Sequence, residues 1–588
     1  MEGGEMSVYN IPDSVLRDDF AFFKQSYDDF KNGKIDAAAF KAIRVPYGIY
    51  EQRERNTYMI RLKTHGGVVS PKQLLALSGF AKKFANLKLH VTTRGGLQLH
   101  YARFEDLCEI IESCHKIGIT GRGSGGGCVR NIVSDVLSGV ALDDVFDVQP
   151  YANALTSKFL GLKDSFTLPK KFKIAFSSSR ADRSLATITD VGFIATINKD
   201  NKGLEKRGFI VYTAGGLGAK SRLGFKLFDF IPDNEVFLVA ESIKRVFDKF
   251  GDRERKSQAR LRFVAERLGE EELARLIKKE IAYLRQQGGW EIHISHSVSL
   301  PPLEDTVLPE MNREEKLWWS RFVSPQKQAG YYYIKVPLQL GDIPYEWAEK
   351  LSIALKYAPQ GCICFSSEQN LYLRHLNSKL ALSLYSLIVE FSPQSLKPTL
   401  LGDMVACTGA ATCQLGIARP RGALLAIESY LSQRDMKLDS LQGFSLHMSG
   451  CPNSCGNHAT ANLGFFGKIK RKGEHSYPAY NVLVGAFIEE GKTRLGKKIA
   501  DISAFRLPEF VYAVLSAYMK DKPKFTSFES WLGEGGGEQE IISLAQKYEE
   551  IPDFDEDQKP YYDFTSDELF DVSLSKRGIG EENNKKGA

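Results

Sequence analysis

The stretch HMSGCPNSCGNHATANLGFFGK, residues 447–468, places two cysteines, Cys451 and Cys455, with three residues between them. Gly450, Pro452, Asn453, Ser454 and Gly456 surround them, a set that favours turns over helix or strand. The run NLGFFGK follows at once and reads as a strand. Two thiols on a tight loop beside a strand need a chemical reason.

A second pair lies upstream. ACTGAATCQLGIARPRG, residues 406–422, carries Cys407 and Cys413 with five residues between them, in a Gly/Ala/Thr-rich turn. A helix-like run, RGALLAIESYLSQRD, separates the pairs. Four thiolates on two loops make a four-sulfur metal site. Structural zinc favours C-x2–4-C knuckles, for which C-x5-C is poor. An iron–sulfur cube is larger and tolerates wider spacing, and small residues let the backbone approach its sulfides. The competing readings are zinc and four cysteines near two turns by chance. The Gly, Pro and Asn content of the loops favours a [4Fe–4S] cluster.

CTGAATC followed by GCPNSCGNHATANLGFFGK resembles the sulfite and nitrite reductase hemoproteins, and the resemblance runs from about residue 47 to about residue 532. It implies a [4Fe–4S] cluster held by Cys407, Cys413, Cys451 and Cys455 and coupled to siroheme. Cys455 would bridge the cluster to the siroheme iron, with Asn453 beside it. It also implies an α/β (α+β) fold with a pseudo-two-fold: two ferredoxin-like half-domains joined as one domain, and two lobes flanking it.

Internal repetition supports this independently. Residues 57–101 (TYMIRLK…LQLHY) run strand, helix, strand, turn, strand, and residues 330–375 (GYYYIKV…LYLRH) repeat that order. In each, a short polar turn, TTRGG or SSEQN, joins two strand-like runs. FKIAFSSSRADRSLATITDVGFIATI (172–197) lines up with FSLHMSGCPNSCGNHATANLGFFGKI (444–469), and VYTAGGLGAKSRLGFKL (211–227) with residues 482–499. Ser179 and Arg183 stand where Cys451 and Cys455 fall. The chain therefore reads as a duplicated unit whose second copy kept the cluster, with a cofactor held between the halves. The expected divisions are an N-terminal helical extension (1–46), half-domains at 47–118 and 321–395, lobes at 119–320 and 396–535, and a charged, loosely held tail (536–588).

Siroheme carries carboxylates, and sulfite and nitrite are anions, so the site needs fixed positive charge. MIRLKTHGG offers Arg61 and Lys63 at alternating strand positions; GGGCVRN offers Arg130 beside a glycine run; LPKKFKIAF offers Lys170, Lys171 and Lys173. Each alone is more often a solvated charge. Their placement at strand ends beside Gly-rich turns is what favours a site. By resemblance, Arg61, Arg130, Lys171 and Lys173 correspond to the substrate-facing residues. Lys63, Thr92, Thr93, Arg94, Gln98 and Gln369 correspond to siroheme contacts, and the Gly215–Gly216 loop approaches the macrocycle with Lys220 and Arg222 near its rim. GRGSGGGC (121–128) lacks a phosphate-loop pattern and reads as a mobile cofactor-side loop.

Composition sets the bounds. With 43% hydrophobic and 26% charged residues over 588, the chain reads as several globular domains. No apolar run reaches membrane-spanning length and no secretory pattern opens the chain, so the expected location is the cytoplasm. Nine cysteines, an odd number, fit a reducing compartment, and Cys108, Cys114, Cys128, Cys362 and Cys364 read as small core residues. A net charge of +6 without a basic block argues against nucleic acid and fits anionic ligands or an acidic partner.

By the resemblance, the expected activity is six-electron reduction of sulfite to sulfide, with ferredoxin-dependent reduction of nitrite to ammonium as the alternative. Nitrite-specialised members carry Asn where this chain has Lys173, so KKFK favours sulfite. No flavin or nicotinamide motif is present, so electrons come from a separate donor: a ferredoxin, flavodoxin or flavoprotein subunit. The rival classes are a zinc-stabilised binding protein without catalysis and a simple iron–sulfur electron carrier.

Overall fold

The computed structural model of the chain describes residues 9–199, 202–294, 300, 303 and 307–571. It divides into two compact units. The first holds the residues up to 51, then 56–216 and 222–396; the second holds 52–55, 217–221 and the residues from 397 onward.

Two half-domains of the first unit are built alike. In one, strands Ile49–Glu51, Thr57–Leu62, Leu97–Arg103 and Lys88–Val91 form a sheet. In the other, the strands are Val323–Pro325, Tyr331–Val336, Leu371–Asn377 and Ile363–Phe365. Each half lends the other its fifth strand. Asp342–Pro344 pairs with Lys88–Val91, and Val68–Val69 pairs with Ile363–Phe365, all antiparallel. This exchange makes one domain of two repeats. Between the repeated strands lie helices Pro71–Phe84 and Tyr345–Ala354, which pack on each other. The first opens on a capping box, Ser70 and Gln73 each satisfying the other's backbone N–H. Its Leu74, Leu77, Ala81 and Phe84 recur at helical spacing and are buried in one core with Trp347 and Leu351. The N-terminal helices Phe20–Lys31 and Ala37–Arg44 add Phe23, Tyr27 and Phe40 to that core.

The lobe of the first unit is a five-stranded sheet: Val133–Ser134, Ile174–Ser177 and Val191–Lys199 run parallel, and Glu205–Thr213 and Phe225–Pro232 continue antiparallel. The second unit repeats it with Val405–Ala406, Leu446–Ser449, Leu463–Lys472, His475–Val484 and Lys497–Ser503 in the same order and directions. The agreement reaches single residues. Ile174 opposes Val191 as Leu446 opposes Leu463. Asp182 and Leu185 have φ of 48° and 59°, and their counterparts Ser454 and Asn457 have 56° and 53°. A Cβ on Gly192 would meet the Ala186 carbonyl oxygen at 1.9 Å, and one on Gly464 would meet that of His458 at 1.9 Å. The loop that carries C-x3-C thus has the same backbone in both lobes.

Two expectations need correction. The 121–128 segment is a packed loop rather than a mobile one: Cys128 Sγ donates to the Gly123 and Gly125 carbonyls at 2.9 and 2.7 Å, and Gly123 N–H donates to Pro46 O at 2.7 Å. The C-terminal segment is not loosely held as far as residue 571. Helix Gly537–Lys547 buries Ile541 and Ala545, and Ile551 and Tyr561 close a cluster with Tyr477 and Ala479. Aromatic residues spaced among the charges supply the anchoring that charge density obscures. Residues 572–588 of the expected tail lie outside the described residues.

Candidate functional site

Strand ends of the first unit bring the basic residues together. Arg61 lies on strand Thr57–Leu62 opposite Gln98. Its Nη1 donates to Ser124 O at 3.3 Å, and Arg130 Nη1 donates to the same oxygen at 2.9 Å. Lys63 is buried, and its Nζ donates to Val129 O at 3.3 Å. Burial, with Arg130 and Arg94 close by, pushes its ammonium down to about 8. Thr92 Oγ1 closes the TTRGG turn by accepting from Arg94 N–H and Gly96 N–H, at 3.3 and 3.1 Å. Thr93 sits half-buried in that turn. Arg94 Nη2 donates to Asn131 O at 2.6 Å and Ile174 O at 3.2 Å. Burial and then Arg130 pull its guanidinium down to about 9.

Lys171 and Lys173 flank Phe172, which is fully buried, at the entry to strand Ile174–Ser177. Burial holds Lys173 well below its ordinary range; Arg94, Lys171 and Arg260 add to the shift, and Asp190 opposes it. Asp190 is the nearby counter-charge. Its Oδ2 accepts from Lys173 backbone N–H at 2.9 Å and from Arg260 Nη2 at 2.8 Å.

Arg260 and Arg262 are functional candidates that the sequence reading missed. A methyl group on Gly216 would meet Arg260 Nη2 at 2.9 Å and Arg262 Nη1 at 3.1 Å, so both guanidinium groups lie against the Gly215–Gly216 loop. Arg262 is pulled down to about 10 by burial and then by Arg260. ARLRF at a helix start gives no signal beyond two arginines at strand-like spacing. Their partners sit about seventy residues upstream.

Other expected contacts scatter more. Arg222 pairs with Glu270 at 2.5 Å and donates to Ala214 O. Gln369 occupies a left-handed turn position and donates to Val91 O at 3.0 Å. Lys220 is exposed on the 217–221 stretch, which belongs to the second unit.

In the second unit the four thiols gather. Cys407 follows strand Val405–Ala406, and its Sγ accepts the Gly450 N–H at 3.2 Å. Burial raises the Cys407, Cys413 and Cys451 thiols, the last to about 11, and Cys455 adds to the rise in each. Cys455 itself is exposed, as is Asn453. Desolvated thiols that repel one another's ionisation need a positive group among them before they can all be thiolates.

The residues fit an iron–sulfur cluster. A backbone N–H already points at one sulfur, the loop is rich in small residues, and buried polar atoms beside it lack partners: the Tyr480 hydroxyl and Ser454 Oγ. Among the described residues, no three His, Cys, Asp or Glu side chains close on a single-ion geometry. The first unit's cations likewise fit an anionic cofactor. Arg94, Arg130 and Arg260 each keep a buried Nε without a partner.

Comparison with known proteins agrees. Residues 50–117 match the nitrite/sulfite reductase ferredoxin-like half domain, and residues 125–283 match the nitrite and sulphite reductase 4Fe-4S domain. The assimilatory ferredoxin-dependent nitrite reductase of Haloferax mediterranei is 24% identical over 89% of this chain and 90% of its own. Ferredoxin–nitrite reductase of Synechococcus elongatus is 26% identical over 78% of this chain and 85% of its own. Sulfite reductase [ferredoxin] 1 of Mycolicibacterium paratuberculosis is 24% identical over 89% and 92%. The solved Mycobacterium tuberculosis NirA protein shares the fold, with a TM-score of 0.74 at 21% identity over 89% of this chain and 97% of that one. Repeated half-domains, repeated lobes and these matches define a reductase of the siroheme-dependent sulfite or nitrite class. The two matched domains and the relatives support the siroheme sulfite and nitrite reductase family, whose cofactors are siroheme and a [4Fe–4S] cluster. The matched 4Fe-4S domain span is the first lobe, whereas the four clustered cysteines lie at 407–455 in the second.

Proposed function

We propose that the chain reduces sulfite to sulfide, with Cys407, Cys413, Cys451 and Cys455 holding the cluster. Siroheme and the cluster, when bound, supply six electrons one at a time to a single substrate atom. The protein's part is charge and protons. Arg61, Arg130, Lys171 and Lys173 bind the oxyanion, and their fixed charge offsets its negative oxygens. Lys173 Nζ holds a proton that its surroundings make easy to release, and Lys171 beside it shares that role. Lys63, Arg94 and Arg222 suit the siroheme carboxylates, with Thr92, Thr93, Gln98, Gly215, Gly216, Lys220, Gln369 and Asn453 as further contacts.

The observation that carries the substrate reading is Lys173 itself, a further cation within electrostatic reach of Arg94, Lys171 and Arg260 at the entry to strand Ile174–Ser177. Sulfite carries up to two negative charges and nitrite one, so an added cation favours sulfite. The relatives bear both names, which keeps nitrite as the second reading. The relatives named for ferredoxin, and the net charge of +6, support an acidic ferredoxin-type donor. Among the described residues, no helix is long and apolar enough to cross a membrane.

The test is kcat/KM for sulfite and for nitrite on one anaerobic preparation with reduced viologen. Sulfite is expected to win, with sulfide formed stoichiometrically, and Lys173→Asn is expected to move the ratio toward nitrite. A clear preference of the unaltered enzyme for nitrite would overturn the substrate reading.

A further inference from the structure

Residues 52–55 join two strands of the first unit, Ile49–Glu51 and Thr57–Leu62, yet belong to the second unit. Their partner there is the turn that ends in Cys413. Arg53 N–H donates to Thr412 O at 3.1 Å. Arg53 Nη2 donates to Cys413 O at 3.2 Å and reaches Gly416 O at 3.5 Å. Gln414 Nε2 donates back to Gln52 O at 3.4 Å. The cysteine turn has little regular structure of its own, only the 3-10 turn Gly409–Ala411. One guanidinium nitrogen serving two of its carbonyls, with the Arg53 backbone N–H on a third, ties the turn down at three points, and the planar guanidinium group holds that position with less loss of freedom than an ammonium on a flexible stem. The side chain is half-buried, so its charge acts at reduced screening on whatever Cys413 binds.

We propose that Arg53 is a positioning residue for the cluster: it clasps the Cys407–Cys413 loop shut and sets a fixed positive charge beside Cys413 that favours the reduced, more negative state. This rests on the reading that the four cysteines hold a [4Fe–4S] cluster. It assigns a role to a residue outside both cysteine motifs and outside the basic strand ends. Nothing in the sequence around EQRERN marks Arg53 over Arg55, which is exposed. The hydrogen bonds do.

Three variants separate clasp from charge: Arg53→Lys keeps charge without the planar guanidinium, Arg53→Gln keeps a donor without charge, and Arg53→Ala removes both. Each is purified anaerobically, checked for folding by circular dichroism, and assayed for iron and acid-labile sulfide per chain. Iron release to a ferrous chelator is then timed, and the one-electron reduction midpoint is read by EPR against mediators, which supply the electron. Losing a charge-assisted hydrogen bond of this kind predicts release faster by on the order of tenfold in Arg53→Ala, with Arg53→Lys in between. The midpoint is predicted to fall in Arg53→Gln and Arg53→Ala and to hold in Arg53→Lys. Release rates and midpoints indistinguishable from the unaltered protein in all three would overturn the proposal. Should Arg53→Ala fail to fold, the Lys and Gln variants still decide it. An unaltered protein without iron and sulfide would instead overturn the cluster reading beneath it.

Discussion

The two lobes share a backbone and differ in what hangs from it. Asp135 N–H donates to Phe176 O at 2.9 Å, and at the equivalent position Cys407 N–H donates to Met448 O at 3.2 Å. Where the second lobe has Cys407, Cys451 and Cys455, the first has Asp135, Ser179 and Arg183. These form a charged network. Arg183 reaches Asp135 at 3.2 Å and Asp143 at 2.5 Å, and Ser179 Oγ donates to Asp143 at 2.8 Å. The network satisfies itself, with a cation supplied by the chain. Thiols at the same positions become thiolates together once a metal group supplies positive charge among them.

A second difference sits at the foot of the same loop. Asn462 Oδ1 accepts from Ser445 N–H at 2.9 Å, as Asp190 Oδ2 accepts from Lys173 N–H at 2.9 Å. One latch is neutral and the other charged, because only the first lobe has Lys173 and Arg260 to balance a carboxylate. On the proposed reading, one copy of the duplication is a metal site and the other a cation site.

The comparison is open to breakage at several points. The largest effect is expected from Cys451→Ser or Cys407→Ser. Either should abolish the cluster and reduce turnover to background, read as lost iron and sulfide, whereas Ser179→Ala in the first lobe should leave both intact. Lys173→Met should lower turnover on the order of a hundredfold or more with siroheme absorbance retained. Loss of siroheme in that variant would make the residue structural. Asp190→Asn strands the Arg260 charge in a site where both partners are buried, the side chains being 5% and 0% exposed. It should destabilise the protein by about 3 kcal/mol, measured by denaturant midpoint, more than the same chemistry does at the neutral latch.

A smaller effect comes from pH. Burial lowers His65 to about 4, and its Nδ1 accepts the Tyr9 N–H. The folded state therefore binds this proton less readily than the unfolded one, whose histidine titrates near its ordinary value. As pH falls below about 6.5 the unfolded state gains the proton first, and stability falls by roughly 1.4 kcal/mol per pH unit until about pH 4. His65→Gln should flatten that slope between pH 7 and pH 5 in denaturant titrations.

Much of this was legible in the sequence, and the reasons are specific. The 444–469 and 172–197 alignment holds residue for residue, because tight loops fix spacing: Gly192 and Gly464 admit no side chain, so neither copy could drift. The basic strand ends were legible as Arg61, Arg130 and KKFK beside glycine runs. Arg260, Arg262 and Asp190 were not, since a buried ion pair between residues seventy apart leaves no periodic trace. Arg53 was hidden for the same reason, its partner lying 360 residues along the chain. The exchanged edge strands, two and three residues long, are too short to carry an alternation. The C-terminal segment misled through its charge, while Tyr561 and Ile551 hold it in place.

The division of labour between the lobes is tested most directly by metal analysis of anaerobically purified protein with an absorption spectrum of the same sample. One cluster and one siroheme predict about five irons and four acid-labile sulfides per chain, with siroheme bands. In Cys451→Ser the sulfide should vanish, and in Arg183→Ala it should stay. Zinc in place of iron, or sulfide that survives Cys451→Ser, would contradict a cluster held in the second lobe.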